Sequence, residues 1–284
     1  MSRILLTGAG GFVGSRIQEY LAPRHEVITF PRGMLAEAAQ QQVLDFVDRA
    51  RPDAVIHTAA IADMGVCEQN PDASYRSNVL LTEWLCRAAQ KMGVKIVCYS
   101  SDQVYNGSDP AQGPYREDLP LSPSNVYGRH KLEAEQRGLA ACPDAVMLRA
   151  TWMYDLSGAS LDTRGGFLPG LIKQAQNNQP GRFSTRDYRG ITWVRQAAEL
   201  TEKALLIPGG AYNFGSPNHR HMADTARDAL EALGFENRIS DLVEEDDGGR
   251  LRCLAMDPAK LNAAGLAFDT TRDGFFRCVE TCGK

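Results

Sequence analysis

The feature that most limits the fold is a glycine-rich turn within the first fourteen residues. Gly8, Gly11 and Gly14 are spaced three apart, between the apolar run Arg3–Thr7 and a helical pattern over Phe12–Leu21. Glycine permits positive φ and lets the backbone come close to a pyrophosphate. The N-terminus of the following helix offers unpaired N–H groups and a positive dipole end. We therefore expect a strand–turn–helix unit that binds a dinucleotide, with a ligand-free turn as the alternative.

Beyond this turn, short runs rich in β-branched residues alternate with longer helical patterns. The predicted strands are Arg3–Thr7, Glu26–Phe30, Ala54–His57, Lys95–Tyr99 and Ala145–Arg149. The predicted helices between them span residues 12–21, 40–50, 72–92 and 125–141. Such alternation predicts a parallel sheet with helices on both faces and right-handed crossovers. The expected fold class is α/β, a Rossmann-type doubly wound parallel sheet.

After about residue 150 the pattern loosens, and two further helical patterns occur at 196–206 and 222–234. We expect this part to form a small C-terminal substrate-binding lobe at the carboxyl edge of the sheet. The predicted division is an NAD(P)-binding Rossmann domain over residues 1–155 and a lobe that takes most of 156–284. A segment near 185–215 is expected to return to the Rossmann domain.

The composition excludes several classes of protein. The 31 Lys and Arg against 35 Asp and Glu give a net charge of −4, without the basic excess of a nucleic-acid binder. No apolar run approaches the roughly 18 residues of a membrane span, and the N-terminus does not read as a secretory signal. Seven scattered cysteines, an odd number, indicate free thiols and a cytoplasmic protein. Cys278 and Cys282 have no second ligand pair near them in sequence, so ordinary thiols are expected there.

The end of the second predicted strand bears on the choice of cofactor. An NAD site often has an acid there that accepts from the adenosine ribose hydroxyls. Here the strand ends Thr29-Phe30-Pro31-Arg32, with no acid. The planar fork of Arg32 could pair with a 2′-phosphate, so we expect NADP(H) to be preferred, with NAD(H) also accepted. The alternative is that Arg32 is a solvated loop charge.

Hydroxyl and amine groups suited to acid–base chemistry occur at two places. Tyr127 and Lys131 are four residues apart, so they share one face of a predicted helix. A neighbouring ammonium favours the phenolate and is expected to lower the tyrosine's pKa towards the working range. Ser100 and Ser101 follow the strand Lys95–Tyr99, at the sheet edge where such folds bind ligands. Turn capping is the alternative role for these serines.

Together, Gly8–Gly14, Ser101 and Tyr127-x-x-x-Lys131 resemble the extended short-chain dehydrogenases/reductases, over nearly the whole chain. More narrowly, the chain is similar to the dTDP-4-dehydrorhamnose reductases. The segment Arg149–Tyr154 is similar to the part of that family after its sixth strand, and Asp187–Thr192 is approximately similar to a later segment.

The resemblance implies hydride transfer from a nicotinamide to a 4-keto sugar nucleotide, and relatives often form homodimers. Tyr127 would donate a proton to the carbonyl oxygen, Ser101 would polarise that oxygen, and Lys131 would lower the tyrosine's pKa and hold the nicotinamide ribose. The expected cofactor-binding residues are Gly8, Gly10, Gly11, Phe12, Val13, Gly14, Arg32, Thr58, Ala59, Ala60, Asn78, Ser100, Tyr127 and Lys131. The expected substrate-binding residues are Ser101, Asp102, Gln103, Trp152 and Arg189.

The sequence departs from the family at three points. Ser101 stands where the subgroup typically has Thr, which keeps the hydroxyl. Ser15 replaces an acid linked to a metal-bridged dimer in some members, so no metal is expected. Arg189 and Ile191 differ from the subgroup's pattern, which bears on the choice of sugar.

Two alternatives remain open beside the keto-sugar-nucleotide reductase. An NAD-dependent nucleotide-sugar 4-epimerase would use the same Tyr and Lys, but its ribose-reading acid is missing. A non-catalytic NADP-binding regulatory subunit would keep the fold without turnover. A 4,6-dehydratase is disfavoured, because Gln103 cannot act as the base that such an enzyme needs.

Overall fold

The computed structural model describes residues 1–37, 39–156 and 166–282, and its centre is a six-stranded parallel sheet. The strands in chain order are β1 (Arg3–Thr7), β2 (Glu26–Thr29), β3 (Ala54–His57), β4 (Lys95–Ser101), β5 (Val146–Ala150), β6 (Trp152–Tyr154), β7 (Gly181–Ser184), β8 (Asp187–Arg189), β9 (Ile191–Trp193), β10 (Gly210–Phe214), β11 (Val243–Asp246) and β12 (Arg252–Leu254). The sheet order is β10-β5-β4-β3-β1-β2. Strand β2 lies on one side of β1, and the later strands β3, β4, β5 and β10 are added in turn on the other side. This is the arrangement of a doubly wound sheet, so the predicted fold class is confirmed.

Helices cover the sheet and build the second part of the chain. They are α1 (Phe12–Leu21), α2 (Arg32–Glu37), α3 (Gln40–Ala50), α4 (Met64–Gln69), α5 (Pro71–Tyr75), α6 (Leu81–Met92), α7 (Val126–Ala141), α8 (Phe167–Gln176), α9 (Val194–Ala204), α10 (Met222–Ala232), α11 (Ile239–Leu242), α12 (Ala259–Ala263) and α13 (Thr271–Cys282). One π-helical turn, Arg76–Leu80, joins α5 to α6. The single helix predicted over 72–92 is therefore three consecutive helical segments.

The alternation of side chains along β1 explains the two-sided core. Ile4 and Leu6 pack with Ile17 of α1 and Val194 of α9 on one face, while Leu5 points to the other. Helices α3 and α6 cover that second face. Fully buried strands of a parallel sheet need an apolar helix on each side, which these patterns supply.

A second apolar core lies in the C-terminal part. It joins Phe167 of α8, Met222 of α10 and Phe275 of α13 to Tyr154 and Trp193. Short parallel pairs β6–β9, β7–β11 and β8–β12 complete this region. Because α9 and β10 return to the sheet, the chain crosses between the two cores more than once. The domain boundary at 155 stays a prediction.

No helix in the described part of the chain is long and apolar enough to cross a membrane. All seven cysteines are free thiols, and Cys67, Cys86, Cys98, Cys142 and Cys278 are buried. They pack as small apolar side chains.

Candidate active site

The glycine turn after β1 is too tight for side chains at two of its positions. Gly8 has φ +73°, and a Cβ there would lie 2.6 Å from Thr58 Oγ1 and 2.7 Å from the Ala59 nitrogen. A Cβ on Gly14 would collide with the Gly8 carbonyl oxygen. The Gly11 N–H donates to that oxygen at 2.8 Å, which closes the turn. Gly10 has open space where a side chain would be.

This turn leads directly into α1, which has Phe12 and Val13 in its first turn. The first N–H groups of a helix have no intrahelical acceptor, so they are available to an anion. Thr58, Ala59 and Ala60 follow β3 beside the turn, and Thr58 Oγ1 donates to the Thr7 carbonyl at 2.8 Å. The structure thus brings these predicted cofactor-binding residues together.

Asn78 has its side chain committed to protein rather than to open space. Its Oδ1 accepts from the Ile61 N–H at 2.9 Å, and its Nδ2 donates to the Ile61 carbonyl at 3.0 Å and to Ser74 Oγ at 3.2 Å. Asn78 is fully buried in the π-helical turn. The side chain thus ties the π-helical turn to the loop after β3, and a contact of Asn78 with the cofactor stays a prediction.

Tyr127, Lys131 and Ser101 meet at the carboxyl edge of the sheet. Tyr127 and Lys131 lie on α7, with the Lys131 Nζ 5.9 Å from the centre of the Tyr127 ring. Lys131 Nζ also donates to the Tyr99 carbonyl at 2.7 Å. Tyr127 interacts with Ser101, the last residue of β4, whose hydroxyl favours the ionised form of the phenol. The strand continues to Ser101, two residues beyond its predicted end, and so delivers this hydroxyl to the site.

Burial controls the titration of this pair. It raises the pKa of the Tyr127 phenol, and the Ser101 hydroxyl acts in the opposite direction, while Asp102 and Cys67 raise it further. In the chain without a cofactor this pKa is therefore raised, contrary to the expected lowering, and burial is the main cause. Burial also lowers the pKa of Lys131 to about 8.

Ser100 differs from Ser101 in its partners. Its Oγ donates to Glu135 Oε1 at 2.5 Å. Glu135 in turn accepts from Arg149 Nη2 at 2.8 Å, and Arg149 Nη1 donates to the Tyr105 hydroxyl at 2.7 Å. Sequence reasoning missed this buried network under the site. With its hydrogen used here, Ser100 can offer a cofactor the acceptor side of its hydroxyl or its backbone.

The predicted substrate-binding residues form a second connected group. Arg189 Nη2 donates to Asp102 Oδ2 at 2.9 Å, and its Cζ lies 5.1 Å from the centre of the Trp152 ring. Gln103 Nε2 donates to Asp102 Oδ1 at 3.2 Å. Trp152 is 41% exposed despite its size. The buried Arg189 Nε has no partner among the described residues.

The start of α7 is held by two side chains that were not predicted to lie at the site. Asn125 Oδ1 accepts from the Gly128 N–H at 2.7 Å, which caps the helix. Glu68 Oε1 accepts from the Val126 N–H at 2.8 Å. An Asn before a helical pattern is a recognised start signal and could have been identified, whereas the contact with Glu68 spans 58 residues.

Arg32 is exposed at the start of α2, directly after the edge strand β2. Strand β2 pairs with β1, so Arg32 follows the carboxyl end of the strand next to the one that leads into the glycine turn. The contact of Arg32 with a 2′-phosphate stays a prediction.

Asp155, Cys278 and Cys282 have potential metal-ligand atoms within 4.8 Å of one another. Asp155 Oδ2 already accepts from Arg16 Nε at 3.1 Å, and Trp193 Nε1 donates to Oδ1 at 3.3 Å. A cation here would compete with a guanidinium. The expectation of no metal stays a prediction.

Residues 1–243 match the family described as RmlD substrate binding domain. The chain is 28% identical over 251 residues to the spore coat polysaccharide biosynthesis protein SpsK of Bacillus subtilis, covering 88% of this chain and 86% of that protein. It is 28% identical over 227 residues to dTDP-4-dehydrorhamnose reductase of Aggregatibacter actinomycetemcomitans, covering 76% and 74%.

A solved structure of dTDP-4-dehydrorhamnose reductase from Bacillus anthracis, in complex with NADP, superposes with a TM-score of 0.85. The two chains are 22% identical, and the superposition covers 99% of this chain and 98% of that one. This likeness confirms the predicted fold. Because the family match spans most of its length, the chain belongs to the RmlD substrate binding domain family.

Proposed function

We propose that this protein reduces the keto group of a nucleotide-linked sugar, with NADPH preferred over NADH. The observation that carries the proposal is the meeting of Ser101, Tyr127 and Lys131 at the sheet edge, beside a glycine turn fit for a dinucleotide. Relatives named dTDP-4-dehydrorhamnose reductase make that keto sugar the first substrate to test.

The glycine turn fits a dinucleotide because its close-packed positions leave backbone, rather than side chains, facing the ligand. Gly8 and Gly14 have no room for a Cβ, whereas Gly10 is open. The first turn of α1 would hold the pyrophosphate, and Thr58 and Ala59 would line the neighbouring wall. When bound, the nicotinamide supplies the hydride.

Tyr127 is suited to act as the acid. Burial raises the pKa of its phenol, so the proton is present at neutral pH and can pass to the carbonyl oxygen as charge develops there. Ser101, whose O–H donates to Asp102 in this structure, would turn that O–H to the carbonyl oxygen as a second donor. Lys131, with its pKa lowered to about 8, is still mostly protonated at neutral pH and would stabilise the phenolate that forms.

The substrate would lie between the catalytic group and the C-terminal lobe. The exposed ring of Trp152 offers an apolar face for a sugar. The Nε–H of Arg189, which has no partner among the described residues, and the amide of Gln103 would bind oxygen atoms of the substrate. Asp102 would accept from a sugar hydroxyl or hold Arg189 in place.

We also propose that the protein acts in the cytoplasm, in line with its free thiols, and forms a homodimer, in line with the resemblance. Light scattering of the purified protein would measure its mass in solution. A value of one chain would contradict the dimer.

A screen of keto-sugar nucleotides with NADPH, read at the nicotinamide absorbance, tests the proposal. We expect oxidation of NADPH with at least one of them, beginning with dTDP-4-dehydrorhamnose. Interconversion of 4-epimers with no net use of added cofactor would favour the epimerase. Tight binding of NADPH without turnover on any substrate would favour the regulatory subunit.

Replacing Arg32 by alanine should weaken NADPH binding by about tenfold to a hundredfold, because a charge-assisted bond to the 2′-phosphate is lost. NADH binding should change little. Fluorescence titrations of both cofactors measure this. The control is Arg49→Ala, an exposed arginine in the last turn of α3, which should affect neither cofactor. Equal losses for NADPH and NADH on Arg32→Ala would contradict the assignment.

A further inference from the structure

Arg189 is held too closely by the protein to be only a surface cation for the substrate. Its guanidinium pairs with Asp102, and the two side chains are 13% and 4% exposed. The same guanidinium lies against the Trp152 ring. The pair joins β8 to the short turn after β4, 87 residues away in sequence.

Asp102 connects this cation to the catalytic hydroxyls. Its Oδ2 accepts from Arg189, while its Oδ1 accepts from Ser101 Oγ at 3.2 Å and from Gln103 Nε2 at 3.2 Å. Ser101 and Asp102 are both close enough to Tyr127 to act on the pKa of its phenol. Hydrogen bonds therefore run from the guanidinium through one carboxylate to Ser101, which lies beside the proton donor.

We propose that Arg189 is a positioning residue for the reduction: it holds Asp102 and offsets its charge beside the Ser101–Tyr127 pair. This inference rests on the proposed function. When the proton leaves Tyr127, its O–H bond breaks, a new O–H bond forms on the carbonyl oxygen, and a phenolate remains. A nearby carboxylate without its counter-ion would oppose that charge.

The other ionisable groups around Tyr127 do not supply this compensation for Asp102. Cys67 of α4 faces the ring and, like Asp102, raises the pKa of the phenol. Lys131, on the same helix as Tyr127, has its Nζ bonded to the Tyr99 carbonyl. Among the described residues, Arg189 is the cation that forms an ion pair with Asp102.

A titration that needs neither cofactor nor substrate tests the proposal. Trifluorotyrosine placed at position 127 has a low intrinsic pKa, and its ¹⁹F resonance follows ionisation below the pH of alkaline unfolding. Arg189→Ala should raise this pKa by about one unit, because Asp102 loses its counter-ion. Arg189→Lys should restore most of the wild-type value. Combining Arg189→Ala with Asp102→Asn should bring the pKa back to the wild-type value or below, and also removes the unpaired buried charge that could disturb folding.

Kinetics with NADPH and an accepted keto-sugar nucleotide provide the second readout. Arg189→Ala should lower kcat at least about tenfold, move the alkaline limb of the pH profile to higher pH, and leave NADPH binding unchanged. Arg186→Ala, an exposed arginine in the turn before β8, serves as the control and should leave both readouts as in the wild type.

An unchanged Tyr127 titration in folded Arg189→Ala protein would overturn the proposal, even if activity fell. The same holds if Arg189→Lys behaves like Arg189→Ala. Absence of turnover by the wild type on every substrate would instead contradict the proposed function, and the ¹⁹F titration would still decide the role of Arg189.

Discussion

Replacing Tyr127 by phenylalanine should lower kcat by roughly 10²–10⁴ while NADPH still binds. The substitution removes the proton that the site delivers to the carbonyl oxygen and keeps the ring in its buried place. Ser101 would remain to polarise the substrate, so some activity should survive. Steady-state assays together with NADPH titrations separate the loss in turnover from any loss in binding.

Tyr20→Phe is the matched control for this experiment. Tyr20 lies on α1, where its ring packs under Arg24 at 4.0 Å from Cζ to the ring centre, and it is not among the proposed catalytic or binding residues. We expect normal turnover from this variant. Turnover near the wild-type value in Tyr127→Phe would remove Tyr127 from the mechanism.

Replacing Glu135 by alanine should cost about 3–5 kcal/mol of folding free energy, because it leaves the Arg149 guanidinium buried without its counter-ion. The two side chains are only 3% and 5% exposed. Ser100 would lose its acceptor as well. Urea unfolding followed by circular dichroism measures the change.

Glu26→Ala breaks a surface ion pair with Arg3 and is the control. We expect its unfolding midpoint to move far less, because solvent and salt screen exposed charges. If Glu135→Ala were as stable as Glu26→Ala, the buried network would not stabilise the sheet edge as described.

Five strands of the sheet could be predicted from the sequence because each is a short, mostly apolar run next to a helical pattern. The sixth, β10, was not predicted, because Gly210 and Asn213 interrupt its apolar residues. The geometry of the glycine turn could also be predicted from its glycines. Gly8 adopts a positive φ, and Gly14 packs against the Gly8 carbonyl. The prediction was less accurate for the boundaries of helices and strands. The π-helical turn at Arg76–Leu80 leaves no periodic signal, so 72–92 looked like one helix.

The functional groups themselves could be found, but not their partners. Tyr127 and Lys131 are close in sequence, so their shared face followed from helical spacing. Glu135 with Arg149 and Asp102 with Arg189 come from separate elements, and only the fold brings them together. The pKa of Tyr127 depends on burial, which residue spacing does not reveal. The sequence therefore predicted a lowered pKa, whereas burial raises it.

The most direct test of the central claim follows the hydrogen that is transferred. NADPH deuterated at the reactive carbon of the nicotinamide is mixed with dTDP-4-dehydrorhamnose and the protein, and the sugar nucleotide is analysed by mass spectrometry. A reductase gives a product that carries one deuterium at the reduced carbon while NADPH is consumed in equal amount. A sugar nucleotide free of deuterium, with NADPH unchanged, would contradict the assignment as a reductase of this sugar.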